Sequence, residues 1–87
     1  MHYLKVKLYF HREKGFVKYH VLDGGYEPPK DPDGRFEYAN VKYNGEYCRA
    51  FCIYVEDVGK PFEEYVERAQ KLYKKWVAEG NTLFKTR

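Results

Sequence analysis

The chain of 87 residues contains no serine, one glutamine (Gln70), two threonines and three asparagines. Without serine, nucleophilic catalysis would fall to the two cysteines, Cys48 and Cys52. Neither has a histidine partner on its own stretch of chain, so no catalytic residue and no enzymatic activity is expected. Long apolar runs are also missing. A membrane-spanning helix needs about 20 apolar residues, and the opening MHYLKVKL lacks the apolar core of a signal peptide. The expected location is therefore intracellular and cytoplasmic, with no membrane partner. Polar amides are scarce while Lys, Glu, Tyr and Val are abundant, a composition like that of thermophile proteins.

Ligand signatures are equally thin. His2, His11 and His20 have no cysteine or carboxylate at a metal-ligand spacing and read as surface residues. Asp31-Pro32-Asp33-Gly34 shares its start with a calcium loop, but it lacks the further oxygen ligands and holds an internal proline. No metal, cofactor or small-molecule substrate is expected.

What is present is aromatic and charged: ten Tyr and six Phe, with aromatics at 20% and charged residues at 33%. This is a chain with large side chains to bury, which argues against disorder. Its length allows one domain over residues 1–87, with little surplus stability. The net charge of +3 is unevenly spread. Residues 1–22 carry five basic side chains against one acidic, residues 23–34 one basic against four acidic, and residues 68–87 six basic against one acidic. Such a distribution permits a nucleic-acid partner without demanding one.

HYLKVKLYFH (2–11) alternates, with Leu4, Val6, Leu8 and Phe10 on one face. FVKYHVL (16–22) alternates again. A turn at Glu13-Lys14, or a loop Arg12–Gly15, sets Phe10 opposite Val17, Leu8 opposite Tyr19 and Val6 opposite Val21, which makes one hairpin face apolar. Three prolines across 23–34 predict a mobile loop. Strands are expected at about 35–43 and 46–56, joined by the Asn44-Gly45 turn. In that register Val41 opposes Cys48, Ala39 opposes Ala50 and Glu37 opposes Cys52.

From about residue 61 to 79 a helix is expected, with Pro61 as its first residue and Gly80 past its end. Phe62, Val66, Ala69, Leu72, Tyr73 and Trp76 form its apolar stripe, and Glu64–Arg68 and Glu67–Lys71 are paired at i,i+4. The tail 81–87 either adds an edge strand through Leu83 and Phe84 or frays. The fold class is α+β, order ββββα: a four-stranded antiparallel sheet of two hairpins with one helix on one face.

One helix leaves one sheet face over. Cys48, Ala50, Cys52, Ala39 and Val41 form a small face; Phe36, Tyr38, Tyr47, Phe51, Ile53 and Val55, with Asn40, Lys42 and Arg49, form a large one. Packing the helix on the small face fills volume best and is the favoured arrangement. It leaves Lys5, Lys7, Tyr9, Lys18, Tyr38, Arg49 and Phe51 as a basic-aromatic platform for nucleic acid. The competing arrangement exposes the small face to a protein partner or a second copy of the chain. The alternative function is thus a protein-interaction module: a sheet-mediated homodimer, or a small inhibitor of the kind viruses of phage or archaeal type encode. Its contacts would come from the acidic proline loop, with Tyr26, Pro28, Pro29, Asp31 and Asp33. The cysteines mark the face. Four residues apart on a strand, their Cα atoms stand about 13 Å apart, too far for a disulfide. Buried thiols are expected to mean a helix on the small side.

DGRFEYANVKYNGEYCRAFCIYVED followed by GKPFEEYVERAQKLYKKW resembles the three-strands-then-helix layout of AP2-type and integrase arm-binding domains. The resemblance covers about half the chain and implies a sheet laid into the DNA major groove. The N-terminal hairpin and the weakly basic third and fourth strands depart from that layout.

Overall fold

The computed structural model describes residues 1–30 and 35–84. Four strands, β1 (Tyr3–His11), β2 (Gly15–Gly25), β3 (Arg35–Tyr43) and β4 (Glu46–Glu56), form one antiparallel sheet in the order β2-β1-β4-β3, and α1 (Phe62–Ala78) follows. The two hairpins are joined through their inner strands, β1 and β4, which pair from Tyr3↔Glu56 to Phe10↔Arg49. The third strand beside β3 and β4 is therefore the N-terminal β1. The stretch Arg35–Glu56 holds two strands and not three, which separates it from the layout of the AP2-type domains.

The first hairpin closes through a three-residue loop, shorter by one than the four-residue alternative. His11 explains it: its Nδ1 accepts hydrogen bonds from the Glu13 and Lys14 amides at 3.2 and 3.1 Å. His11 then opposes Gly15 and Phe10 opposes Phe16 instead of Val17. A bulge at Val17 restores the expected pairs Leu8↔Tyr19 and Val6↔Val21. Strand β2 continues to Gly25, three residues into the expected loop. Gly24 is required there, since a Cβ would lie 2.9 Å from the Tyr3 carbonyl oxygen.

In the second hairpin Asn44 (φ 51°) and Gly45 (φ 80°) make the expected type I′ turn. Tyr43↔Glu46 and Lys42↔Tyr47 follow it, but Ala39–Val41 then bulge, and the ladder resumes at Tyr38↔Arg49 and Glu37↔Ala50. Glu37 thus sits two residues from its expected place opposite Cys52. A slip of two preserves which face each side chain occupies.

Helix α1 lies on the large face. Leu4, Val6, Leu8, Phe10, Phe51, Ile53 and Val55 bury against Tyr65, Val66, Ala69 and Leu83. The favoured arrangement, with α1 on the small face, is corrected. Phe51 and Tyr73 meet at 5.3 Å and Phe10 stacks on Tyr73 at 4.2 Å, so the apolar face of β1 and the bulky residues of β4 complete one core. Burial of this kind contributes roughly 25 cal/mol per Å².

Pro61 is the N-cap residue rather than the first helical one, and Gly80 (φ 97°) terminates the helix as expected. Phe62 is 51% exposed, and Tyr65 takes its place in the core. The Tyr65 hydroxyl oxygen accepts from the Val58 and Lys60 amides at 3.0 and 3.2 Å, fixing the β4–α1 connection. Glu67 and Lys71 pair at 3.9 Å, whereas Glu64 and Arg68 line a cleft near the helix start. Leu83 plugs the core without forming a strand. Among the described residues no helix is long and apolar enough to cross a membrane.

Candidate nucleic-acid interface

The face opposite α1 carries Lys5, Lys7 and Tyr9 from β1, Lys18 and His20 from β2, Glu37 from β3, and Cys48, Ala50 and Cys52 from β4. Here β4 is the low ground. Strands β1 and β3 stand two strand spacings apart, roughly 10 Å, and only small side chains lie between them. Glu37 reaches across, accepting from Lys5 Nζ at 2.5 Å and Lys7 Nζ at 3.3 Å. The Cys52 thiol beneath donates to it as well. Burial by itself would raise the Glu37 pKa. The hydrogen bonds from Lys5, Cys52 and Lys7, with the Lys5 charge, instead bring it from 4.5 to about 2. Burial pushes the Cys52 thiol up to about 12, helped by the Glu37 charge and hydrogen bond, and burial also raises Cys48.

Both cysteines are 1% exposed although no helix covers them. Their burial comes from Tyr9, Val17, Ala39, Val41 and Tyr43 closing over the small residues. Thiol burial therefore does not mark the helix side, because long neighbouring side chains cover this face by themselves.

Of the four expected platform residues here, only Lys18 is well exposed. Lys5 and Lys7 side chains are 20% and 16% accessible and held by Glu37. Tyr9 is buried, its hydroxyl 3.1 Å from His20 Nδ1, with Lys7 and Lys18 over its ring at 5.5 and 5.8 Å. The other three members of the expected set lie on the opposite side. Phe51 is fully buried under α1, and Tyr38 and Arg49 pair across β3 and β4 on the helix side. The single platform is thus split in two.

The helix-side portion is the more open. Helix α1 packs on β1 and β4, and beyond it Tyr38 is 82% and Tyr47 61% exposed. Lys42 lies 4.7 Å from the Tyr47 ring centre, and Phe36 meets Tyr38 edge-on at 5.1 Å. The Arg49 guanidinium is set between Phe36 at 5.4 Å and Phe84 at 5.9 Å, and Arg12 reaches the same Phe84 ring at 5.8 Å. No carboxylate pairs with Arg49 among the described residues. Beside it a groove of about 470 Å³ opens, lined by Phe36, Tyr38, Arg49, Trp76 and Gly80–Leu83.

Period-two alternation put Phe36, Tyr38, Lys42, Tyr47 and Arg49 on one face. The contribution of Trp76, Asn81 and Phe84 needed the helix position, which no sequence signal gives.

At the other end of the sheet His2 bridges Asp23 at 2.7 Å and Asp57 at 3.2 Å and packs against Tyr26 at 5.0 Å. Hydrogen bonds that the His2 ring donates to Asp23 and Asp57 raise its pKa, and both aspartates are lowered, first by the Gly25 and Gly59 amides and then by His2. Tyr26 is 73% exposed, and Pro28 and Pro29 border a cleft of about 840 Å³ against α1. Asp31 and Asp33, the remaining members of the expected protein-contact set, lie outside the described residues. His11, read as a surface residue, is 4% exposed; its Nε2 has no hydrogen-bond partner among the described residues and its ring lies edge-on to Tyr43 at 5.2 Å. No group of three or more potential metal ligands is gathered among the described residues.

Comparison with protein-family models, curated proteins and solved structures gives no match.

Proposed function

We propose that this chain is a small non-catalytic binding domain whose ligand is single-stranded nucleic acid, engaged on the helix-side flank of the β3–β4 hairpin. The observation that carries the reading is Arg49. It is partly buried between two phenyl rings, without a counter-ion among the described residues, next to the exposed ring of Tyr38. A desolvated cation needs an acceptor, and an aromatic beside it offers a base something to stack on. Tyr47 with Lys42 repeats the pairing along the flank, and Arg12 extends the positive charge.

Titration of labelled single- and double-stranded oligonucleotides over a salt series tests this. Phosphate contacts make affinity fall with salt, and Arg49→Ala should weaken binding. Absence of binding at low salt would sink the proposal.

A second reading, a homodimer, is favoured by the edge strand β2, where Phe16, Tyr19 and Leu22 are 38, 37 and 44% exposed. Such an edge can pair with its copy, and light scattering tests it: a monomer at high concentration removes this reading.

A further inference from the structure

The groove beside Arg49 supports a narrower inference, which rests on the nucleic-acid reading. Its volume of about 470 Å³ lies within the range of small-ligand sites, and its lining contains no acidic side chain. Aromatic surface comes from Tyr38 and Trp76, and Gly80 leaves open space where a side chain would begin.

The polar groups are few and differ in kind. The Arg49 guanidinium lies 5.4 Å from the Phe36 ring centre and 5.9 Å from that of Phe84, and its N–H donors have no hydrogen-bond partner among the described residues. Asn81 donates through Nδ2 to the Trp76 carbonyl at 3.0 Å, which orients the amide. Its Oδ1 is left as an acceptor without a partner among the described residues. Thr82 is occupied, since its hydroxyl donates to the Phe84 carbonyl and accepts from the Phe84 amide, both at 3.2 Å. The groove therefore offers a stacking surface, a fork of donors and one acceptor.

Among the bases, guanine alone presents two adjacent acceptors, O6 and N7, to a bidentate arginine. It also carries N–H donors on its pairing edge, which are accessible once the base is unstacked. Adenine places an amino group where arginine needs an acceptor, and pyrimidines lack N7. We propose that this groove takes one unstacked base of the bound strand and selects guanine, with Arg49 donating to O6 and N7 and Asn81 Oδ1 accepting from the pairing edge.

The test uses short pyrimidine-tract strands, as DNA and as RNA, that differ only in one central guest base. Affinities are measured for the unmodified chain, Arg49→Lys and Asn81→Ala. The guanine guest should bind about tenfold tighter than the adenine guest. Arg49→Lys keeps the positive charge and hence the salt dependence, but should erase most of the preference. Asn81→Ala alters an exposed side chain outside α1 and should reduce the preference in a chain that still folds. Equal affinity for all four guests overturns the guanine inference and leaves strand binding standing. So does a guanine preference that persists undiminished in both variants. Failure of every strand to bind at low salt overturns the underlying reading together with it.

Discussion

Removing the Glu37 charge should make the fold less stable in a pH window set by its own titration. The carboxylate is held by Lys5 and Lys7 across β4, and its pKa falls from 4.5 to about 2. A carboxylate depressed in the folded state contributes stability that is complete above its unfolded value. That contribution is lost as pH falls from about 4.5 toward 2. At about 1.4 kcal/mol per pH unit the full depression corresponds to roughly 3 kcal/mol. Water at the rim of the cluster screens the ions, so about 1–2 kcal/mol is expected. Urea unfolding at a series of pH values from 7 to 2, for the unmodified chain and for Glu37→Gln, reads the effect. Stability of the unmodified chain should fall more steeply below pH 4.5 than that of the variant, with the two curves converging near pH 2. Asp23 and Asp57, both lowered, titrate in the same region in both proteins and cancel in the difference. If the two curves run parallel from pH 5 to 2, the Glu37 cluster is not what the geometry implies, and the reasoning fails.

Three further outcomes are expected. Tyr38→Ala, at a position 82% exposed, should leave the melting temperature unchanged and weaken strand binding by about 1–2 kcal/mol, the worth of one stacked base; fluorescence anisotropy measures it, and unaltered affinity counts against the flank. Both thiols, 1% exposed and raised in pKa, should react with a thiol reagent only as fast as the chain unfolds, so rapid labelling of the native protein contradicts their burial. Tyr65→Phe removes the acceptor for the Val58 and Lys60 amides and should lower unfolding free energy by about 1–3 kcal/mol in chemical denaturation, whereas a neutral result shows that water replaces the hydroxyl.

The fold was legible because its signals are local. Alternation assigned Leu4, Val6, Leu8 and Phe10 to one face, Asn44-Gly45 set the second turn, and Gly80 ended the helix. What escaped depended on details that alternation does not encode. The His11 side chain shortens the first turn, and bulges adjust the ladders at Val17, Gly24 and Ala39–Val41. The slip of two in β3 conserves parity, so its face assignments survived the error in pairing, whereas the one-residue bulge in β2 moves Val17 from the expected face beside Phe10 to the cysteine side. The choice of helix face was missed for a physical reason. Small residues suit a closely approaching helix, but they equally suit long side chains folding over from adjacent strands. Here β4 lies between β1 and β3, an order that places Glu37 within reach of Lys5 and Lys7. That order arises from a long-range pairing of β1 with β4, which the hairpin signals leave open.

The same cross-strand reach explains why charge counted along the chain misplaces the binding surface. Lys5 and Lys7 are two of the five basic residues that make the N-terminal segment positive. Yet the single Glu37 carboxylate pairs with both and offsets one of their two charges. A cation held by a partly buried carboxylate contributes more to the fold and less to the outer field than an unpaired one. Arg49, a member of the expected platform that lies on the helix side, has the opposite surroundings: two aromatic rings nearby and no acid on its guanidinium among the described residues. Uncompensated charge is what a polyanion meets. By that criterion the flank of β3 and β4 outranks the more lysine-rich face. Substituting Lys5 should therefore change stability more than binding, and substituting Arg49 should change binding more than stability.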